Sequence, residues 1–583
     1  MIKACKLSFG FSDTDLYNKI NFTLEDKCHC ALIGSNGSGK TTLVKLIRRP
    51  EDFVYKGEIY RDDLGRIAYV SQYAARDKNQ SITVRDYLME DFKLLEDKAA
   101  ELCTAMESTE ELDEILQQYQ DVLDEQSSID ADNCTENIRR QLQLAELEDK
   151  ADLELQLLSG GEYKLVQIIR QMLRRPGLLI MDEPDVFLDF ENLNGLRDLI
   201  NNYSGTLLAV THSRYLLSHC FNKIWHLENG DLQEFEGSFR DYQFALLQRK
   251  LELQTLAAAE QARIDRTAAL VDKLRDAATE VIDPRRGQAL KGKVSYLRHL
   301  QARQIKAPFV DIRRPEIRMP AAQETSAEAV LLRVSDYNLS FDKKLLEDVN
   351  FELKAGEKLA IAGPNGTGKT SLLRDIRAGK NPSICYGSEA HMGFFSQLQE
   401  EVPGDDHRVI DEFTDEGFEN EEAIEEYLSR WCFEPDSIRR KISQLSGGEK
   451  NLLQLAKLAL GEKNLLLLDE PSSHLDTFSQ MELEQAIIDY PGAVIMVSHD
   501  FYTIANCMDS VLFVENGRLR PMSIRAFRKM IYKQHFSKDY LELELKQKSL
   551  ESRIAGCLEK GDTEEAKKLL EALEEVVDIM NQQ

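Results

Sequence analysis

The sequence predicts an α/β fold in which one domain occurs twice. Three observations predict it: an internal repeat, short apolar strands that end in a glycine-rich loop or a pair of acids, and matching spacings between the repeated motifs. LSFG at 7–10 recurs as LSFD at 339–342, GSNGSGKT at 34–41 as GPNGTGKT at 363–370, LSGGE at 158–162 as LSGGE at 445–449, and MDEP at 181–184 as LDEP at 468–471. Ser159 to Glu183 and Ser446 to Glu470 are both 24 residues, and Glu183 to His212 and Glu470 to His499 are both 29. Lys40 to Ser159 is 119 residues against 77 from Lys369 to Ser446, so the first copy carries an insertion of 42 residues.

That insertion reads as a helical arm at about 88–140, with Leu94, Leu95, Leu102, Met106, Leu112, Leu116 and Tyr119 in a three-four rhythm. The first domain is placed at 1–238. From 239 to 281 the chain lacks Pro and Gly and keeps a helical rhythm through Tyr242, Leu246, Leu253, Leu256, Val271, Leu274 and Val281. Such a helix reaches about 60 Å. Asp283-Pro284 breaks it, a return helix follows, and Pro308, Pro315 and Pro320 punctuate the rest, so 239–327 is placed as a helical hairpin linker. The second domain is placed at 328–535. A C-terminal helical hairpin at 536–583 turns at Gly561-Asp562, with Asp562 capping and Glu565 completing the box.

Charge is uneven along the chain. The net charge of −28 argues against a wholly nucleic-acid-binding surface, and DNA is not an expected partner. Residues 90–136 are net −14, whereas 283–319 are net +7. No apolar run approaches the length of a membrane helix, and MIKACKLSFG lacks a signal-peptide core, so a cytoplasmic location and no membrane partner are expected. The ten cysteines form no CxxC pair, which fits reduced thiols. Cys28 and Cys30, either side of His29, read as buried thiols on a strand rather than a zinc site.

In GxxxxGKT the glycines let backbone N–H groups wrap phosphates at a helix N-terminus, the lysine reaches the outer phosphates and the threonine meets a metal ion. The two loops are Gly34, Ser35, Asn36, Gly37, Ser38, Gly39, Lys40, Thr41 and Thr42, and Gly363, Pro364, Asn365, Gly366, Thr367, Gly368, Lys369, Thr370 and Ser371. The strands LLIM and LLLL end in Asp182-Glu183 and Asp469-Glu470, at the sheet edge where α/β folds bind ligands. The aspartates suit a cation, and the glutamates suit polarising an attacking water.

LSGGE between the P-loop and the Asp-Glu strand resembles the signature of ATP-binding cassette proteins. The fold implied is two tandem P-loop ATP-binding cassette domains joined by the helical hairpin, with the arm in the first and a C-terminal helical extension. The activity implied is an ATPase, ATP and water giving ADP and phosphate, with Mg²⁺ as cofactor. In that family the signature of one cassette closes on the nucleotide of the other. One composite site would join Lys40, Gln72, Asp182, Glu183 and His212 with Ser446, Gly447 and Gly448; the other would join Lys369, Gln397, Asp469, Glu470 and His499 with Ser159, Gly160 and Gly161. Thr41, Gln72 and Asp182 would hold one Mg²⁺, and Thr370, Gln397 and Asp469 the other. Phe9 and Phe341 fall where the family stacks adenine, although an aromatic near a strand end serves equally as core.

The tandem arrangement, arm and long linker resemble the ABC-F subfamily over nearly the whole chain. That resemblance implies a ribosome-associated protein in the tRNA exit site, with rRNA, P-site tRNA and large-subunit proteins as partners. It implies action on translation or protection from antibiotics, by a monomer whose cassettes pair within the chain. The segment 285–309 is similar to the family's basic tip and return helix, with Arg285, Arg286, Lys291 and Lys293 as RNA-contacting residues. The alternative, a soluble ATPase subunit of an ABC transporter, has no use for a long basic hairpin. A chromosome-associated ATPase would need coiled coils hundreds of residues long. The first cassette departs from the family pattern: EPDVFLD stands against EPSSHLD, placing Phe187 for a histidine, and Ser213 replaces an aspartate, which puts equal turnover at the two sites in question while leaving Lys40, Asp182, Glu183 and His212 in place.

Overall fold

The computed structural model describes residues 1–11, 14–61, 66–72, 81–106, 112–186, 188–280, 293–294, 314–320, 326, 328–341, 344–396, 407–531 and 538–581. Both cassettes lie in one compact unit, Met1–Phe235 with Arg313–Ile531; residues 236–312 and 532–583 form a second.

Each cassette has a six-stranded sheet. In the first its order is Ile67–Val70, Leu178–Asp182, Leu207–Val210, His29–Ile33, Lys223–Glu228 and Asp231–Glu236. In the second it is Met392–Phe395, Leu465–Asp469, Ala493–Val497, Lys358–Ala362, Ser510–Glu515 and Arg518–Ser523. Leu178–Asp182 and Leu465–Asp469 are buried at every residue. This is why they read as unbroken apolar runs: a parallel strand covered on both faces has no solvent side to alternate with. Their parallel registers set Asp182 beside Val210 and Asp469 beside Val497, at the carboxyl ends.

A three-stranded antiparallel sheet completes each cassette: Thr14–Leu24, Ile2–Phe11 and Lys56–Arg61 in the first, and Lys344–Lys354, Val330–Ser340 and Ile384–Tyr386 in the second. Its central strand bulges at Lys6 and at Asp336, both in the left-handed region at φ 51° and 49°. Their N–H groups donate to Asn21 Oδ1 and Asn350 Oδ1, each at 2.9 Å. The bulges set the structural correspondence between the copies. Phe9, opposite Tyr17, matches Leu339, opposite Leu346, and so Phe11 matches Phe341. The match of LSFG to LSFD is therefore two residues out of structural register.

The arm comprises the helices Val84–Met106, Leu112–Ser128 and Cys134–Leu144. Its root is apolar, with Leu88, Phe92, Val122, Ile129 and Ile138 buried. Asp91 accepts from both Arg170 of the helix Gly160–Leu173 and Arg174 at its C-cap, and the two guanidinium groups hold its carboxyl well below the usual range despite burial. The expected stripe is only partly inward: Leu94 is 62% and Leu116 45% exposed. A projecting helical arm buries apolar side chains only where it meets a partner, and a three-four rhythm does not say which turns do.

The second unit contains the 42-residue helix Phe239–Glu280 and the hairpin Lys538–Glu559 with Thr563–Asn581. Sequence reading separates these segments as two extensions; in the structure they share a core. Leu251 is buried with Tyr540, Leu550, Ile554, Leu558, Leu569, Leu573 and Val576. Gln254 donates to Leu558 O at 3.1 Å and Asn581 to Asp241 at 2.9 Å. Glu565 N donates to Asp562 Oδ1 at 3.2 Å, which caps the last helix. No helix among the described residues is long and apolar enough to cross a membrane.

Candidate functional site

The P-loops arise where the central strand of each sheet turns into the helices Lys40–Arg48 and Lys369–Ala378. Gly39 and Gly368 precede those helices at φ 99° and 92°, conformations that a side chain would strain. Lys40 Nζ donates to Gly34 O and Ser35 O at 2.9 Å, and Lys369 Nζ to Gly363 O at 2.9 Å and Pro364 O at 2.7 Å. Burial lowers both ammonium groups. Asp476, Glu183, Glu228 and Asp182 oppose this at Lys40; Glu470, Asp189 and Asp469 do so at Lys369.

The Asp-Glu pairs face these loops. Glu183 and Glu470 sit in the left-handed region at φ 45° and 53°, with N–H groups on Val210 O and Val497 O at 2.8 and 2.9 Å. A non-glycine residue held so costs about 1–3 kcal/mol, which the surrounding hydrogen bonds must offset. Gln72 Nε2 donates to Glu183 Oε2 at 2.5 Å. His499 N donates to Glu470 Oε2 at 3.2 Å, and its Nε2 lies 3.6 Å from Oε1. Burial pushes the Glu470 carboxyl up to about 8 and the His499 imidazole down to about 3. His212 is pushed down by burial and then by Lys40, and neither ring nitrogen has a hydrogen-bond partner among the described residues.

The donor set fits a hard cation. Thr370 Oγ1 donates to Asp469 Oδ1 at 3.0 Å, while Asp469 Oδ2 is buried with no hydrogen-bond partner among the described residues. In the first cassette Asp182 Oδ2 accepts from Tyr69 at 3.1 Å, a hydroxyl that Phe394 cannot supply in the second.

Across the cassettes the arrangement is reciprocal. Asn36 N donates to Asp476 Oδ2 and Asn365 N to Asp189 Oδ2, both at 3.1 Å. Sequence reading left out both aspartates, although each closes a motif it quoted, EPDVFLD and EPSSHLD. Asn36 Nδ2 also donates to His474 O at 2.9 Å, and His474 Nδ1 lies 3.9 Å from Glu183 Oε2. Ser159 and Ser446 cap the helices after them in full capping boxes with Glu162 and Glu449. Gly448 lies against Asn36 of the opposing P-loop, whereas Gly161 lies against Asn192 and Leu188 of its own cassette.

Phe9 belongs to the core. It is 8% exposed and meets Phe53 at 5.6 Å and Tyr17 at 6.2 Å between ring centroids, so it is not placed to stack a base. Its structural successor Phe11 is 58% exposed and matches Phe341, 69% exposed. Gln397, Phe187, Arg285, Arg286 and Lys291 lie outside the described residues; Lys293 is described and exposed.

Two P-loop folds set head to tail, each presenting its post-strand aspartate to the other and the second its signature glycine Gly448 as well, define a class of paired ATPase. The chain belongs to the ATP-binding cassette family, in its F subfamily. The ABC transporter family profile matches residues 17–186 and 346–473. Relatives include the ATP-binding protein YdiF of Bacillus subtilis, 30% identical across 89% of this chain and 80% of that one, and ABC transporter F family member 5 of Arabidopsis thaliana, 30% identical across 84% and 71%. The energy-dependent translational throttle protein EttA of Haemophilus influenzae is 27% identical across 80% and 84%. The solved RNase-L Inhibitor shares the fold at a TM-score of 0.52 and 18% identity, across 91% of this chain and 92% of that one. The protein is an ATP-binding ATPase.

Proposed function

We propose that this ATPase binds the ribosome at the tRNA exit site in an ATP-closed form and leaves it on hydrolysis, acting on translation or protecting the ribosome from antibiotics. The closed form is carried by one observation, the reciprocal hydrogen bonds from each P-loop N–H to Asp476 and Asp189 of the opposite cassette. The ribosome is supported by the similarity to a translational throttle protein and by a net +7 segment at 283–319 in a chain of net −28.

In the first composite site Lys40 binds the outer phosphates, Glu183 orients the attacking water and takes its proton, and His212 contacts the terminal phosphate. In the second, Lys369, Glu470 and His499 do the same. Ser446, Gly447 and Gly448 close the first site, and Ser159, Gly160 and Gly161 the second. Thr41, Gln72 and Asp182, and Thr370, Gln397 and Asp469, would hold Mg²⁺, which when bound neutralises charge on the transferring phosphoryl group.

Phe11 and Phe341 take the adenine in this reading. Phe11→Ala and Phe341→Ala should each raise the KM for ATP about tenfold, the worth of a stacked aromatic, with little effect on thermal unfolding. Phe9→Ala should instead cost about 3–5 kcal/mol of stability. Steady-state kinetics beside thermal unfolding decide between them; a raised KM from Phe9→Ala with unchanged stability would restore Phe9 as the stacking residue.

Cosedimentation with ribosomes and with membranes in ATP tests the partner, and pelleting with membranes alone would refute the reading. Arg285, Arg286, Lys291 and Lys293 are assigned to RNA phosphates, because four clustered cations repel one another unless an anion offsets them. Replacing all four by Ala should weaken ribosome binding, flatten its logarithmic salt dependence by roughly three units, and leave ribosome-free hydrolysis intact. An unchanged affinity and slope would make the cluster a solvated turn.

A further inference from the structure

Arg214 stands where the second cassette has Phe501, in THSR against SHDF. Its side chain crosses to the other cassette, where Nη2 pairs with Glu484 and with Asp500 Oδ2 at 3.2 Å, and its guanidinium lies 5.2 Å from the Tyr502 ring centroid. Arg214 is 8% and Glu484 4% exposed, so the pairing is desolvated. A buried charge of this kind contributes little net stability when paired but is costly to leave without its partner, so its value lies in fixing geometry.

The crossing runs one way. At the repeat offset, Arg197 corresponds to Glu484, Ser213 to Asp500 and Arg214 to Phe501. Arg197 turns to its own cassette, pairing with Asp198 at 2.9 Å and donating to Tyr215 at 2.5 Å, and Ser213 caps the helix Arg214–Cys220. The first cassette therefore offers no matching carboxylates, and the second offers no matching cation.

What Arg214 grips is the frame of the second site. Asp500 follows His499; its Oδ1 accepts Tyr502 N at 2.9 Å and its Oδ2 accepts Thr503 Oγ1 at 2.7 Å, which fixes the start of the helix Phe501–Cys507. Glu484 ties the same helix to Thr477–Asp489 through Thr503 at 3.3 Å and Asn506 at 3.0 Å. We propose that Arg214 is a positioning residue for the second ATP site, coupling closure of the first cassette to the placement of His499 against Glu470, with no equivalent at the first site. This rests on the assignment of Glu470 and His499 given above.

The test is single-turnover ATP hydrolysis by the full chain, with Arg214→Met introduced into Glu183→Gln, where only the second site can react, and into Glu470→Gln, where only the first can. The expected result is a rate loss of roughly ten- to a hundredfold in the Glu183→Gln background, from displacement of a catalytic group by about an ångström, with ATP affinity within about twofold, and a loss under about threefold in the other. If Arg214→Met does not fold, Arg214→Lys, which keeps the cation but not the fork, is read in the same two backgrounds for a smaller difference in the same direction. Equal losses in both backgrounds, or none in the Glu183→Gln background, overturn the proposal. Full turnover in the Glu183→Gln/Glu470→Gln double variant would overturn the site assignment instead, so the two failures are told apart.

Discussion

Replacing Glu183 and Glu470 together by Gln should leave ATP bound and the cassettes closed while turnover falls by about two to four orders of magnitude, the contribution of a positioned general base. The amide keeps the size of the side chain and its place at a strained φ, 45° and 53°, so the strand ends need not move. Gln72 reaches the first carboxyl and His499 the second, contacts an amide oxygen still accepts. The measurements are phosphate release and retention of nucleotide on the isolated protein, then ribosome occupancy in ATP, where the variant should remain bound and stop translation. Turnover at the unsubstituted rate would remove both glutamates from the chemistry.

The second large effect is steric. A Cβ on Gly448 would stand 1.9 Å from Asn36 Nδ2 and 2.5 Å from His474 O, one atom in the opposing P-loop and one on its own cassette's backbone. Gly448→Ala should therefore hold the first composite site open and lower ATP turnover by about a hundredfold or more, since the signature must close to position the reacting groups. Gly161→Ala makes the useful contrast. Its nearest neighbour is Asn192 Nδ2 at 2.9 Å, a side-chain atom of the same cassette, so the added methyl meets neither the opposing P-loop nor a backbone atom at close range. Turnover and ATP-dependent closure, followed by a distance probe between the cassettes, should show the loss at Gly448 to be the larger; a Gly448→Ala protein that closes and hydrolyses normally would place the signature elsewhere.

The sequence made the tandem α/β fold legible because its strongest signals are local. A buried parallel strand ending in two acids, as at 465–470, is visible in one short window, and repetition at fixed spacing does the rest. Part of the candidate site was legible as well, in that the structure brings together residues the motifs single out although they lie far apart in the chain: Gln72 with Glu183, Thr370 with Asp469 and Gly448 with Asn36. What failed was register. LSFG against LSFD matches by residue type, yet the bulges at Lys6 and Asp336 set the correspondence, and backbone conformation at a bulge leaves little trace in composition. The aspartates at 189 and 476 were passed over because their work is done in the other cassette, as was Arg214, which reads as an ordinary surface cation until its partners 270 and 286 residues away are seen.

The shared core of the second unit sets an order of events during synthesis. Phe244, Leu247 and Leu251 are made early, and the helices that cover them carry Ile554, Leu558 and Leu573. The hydrogen bond from Gln254 to Leu558 spans 304 residues, so at ordinary elongation rates the apolar face of the long helix waits about 15–60 s for its cover. Throughout that interval the whole second cassette is emerging, and the nascent chain carries an unsheltered hydrophobic strip. A chaperone that binds such strips would find this chain a client for that window, and its release would coincide with arrival of the last hairpin.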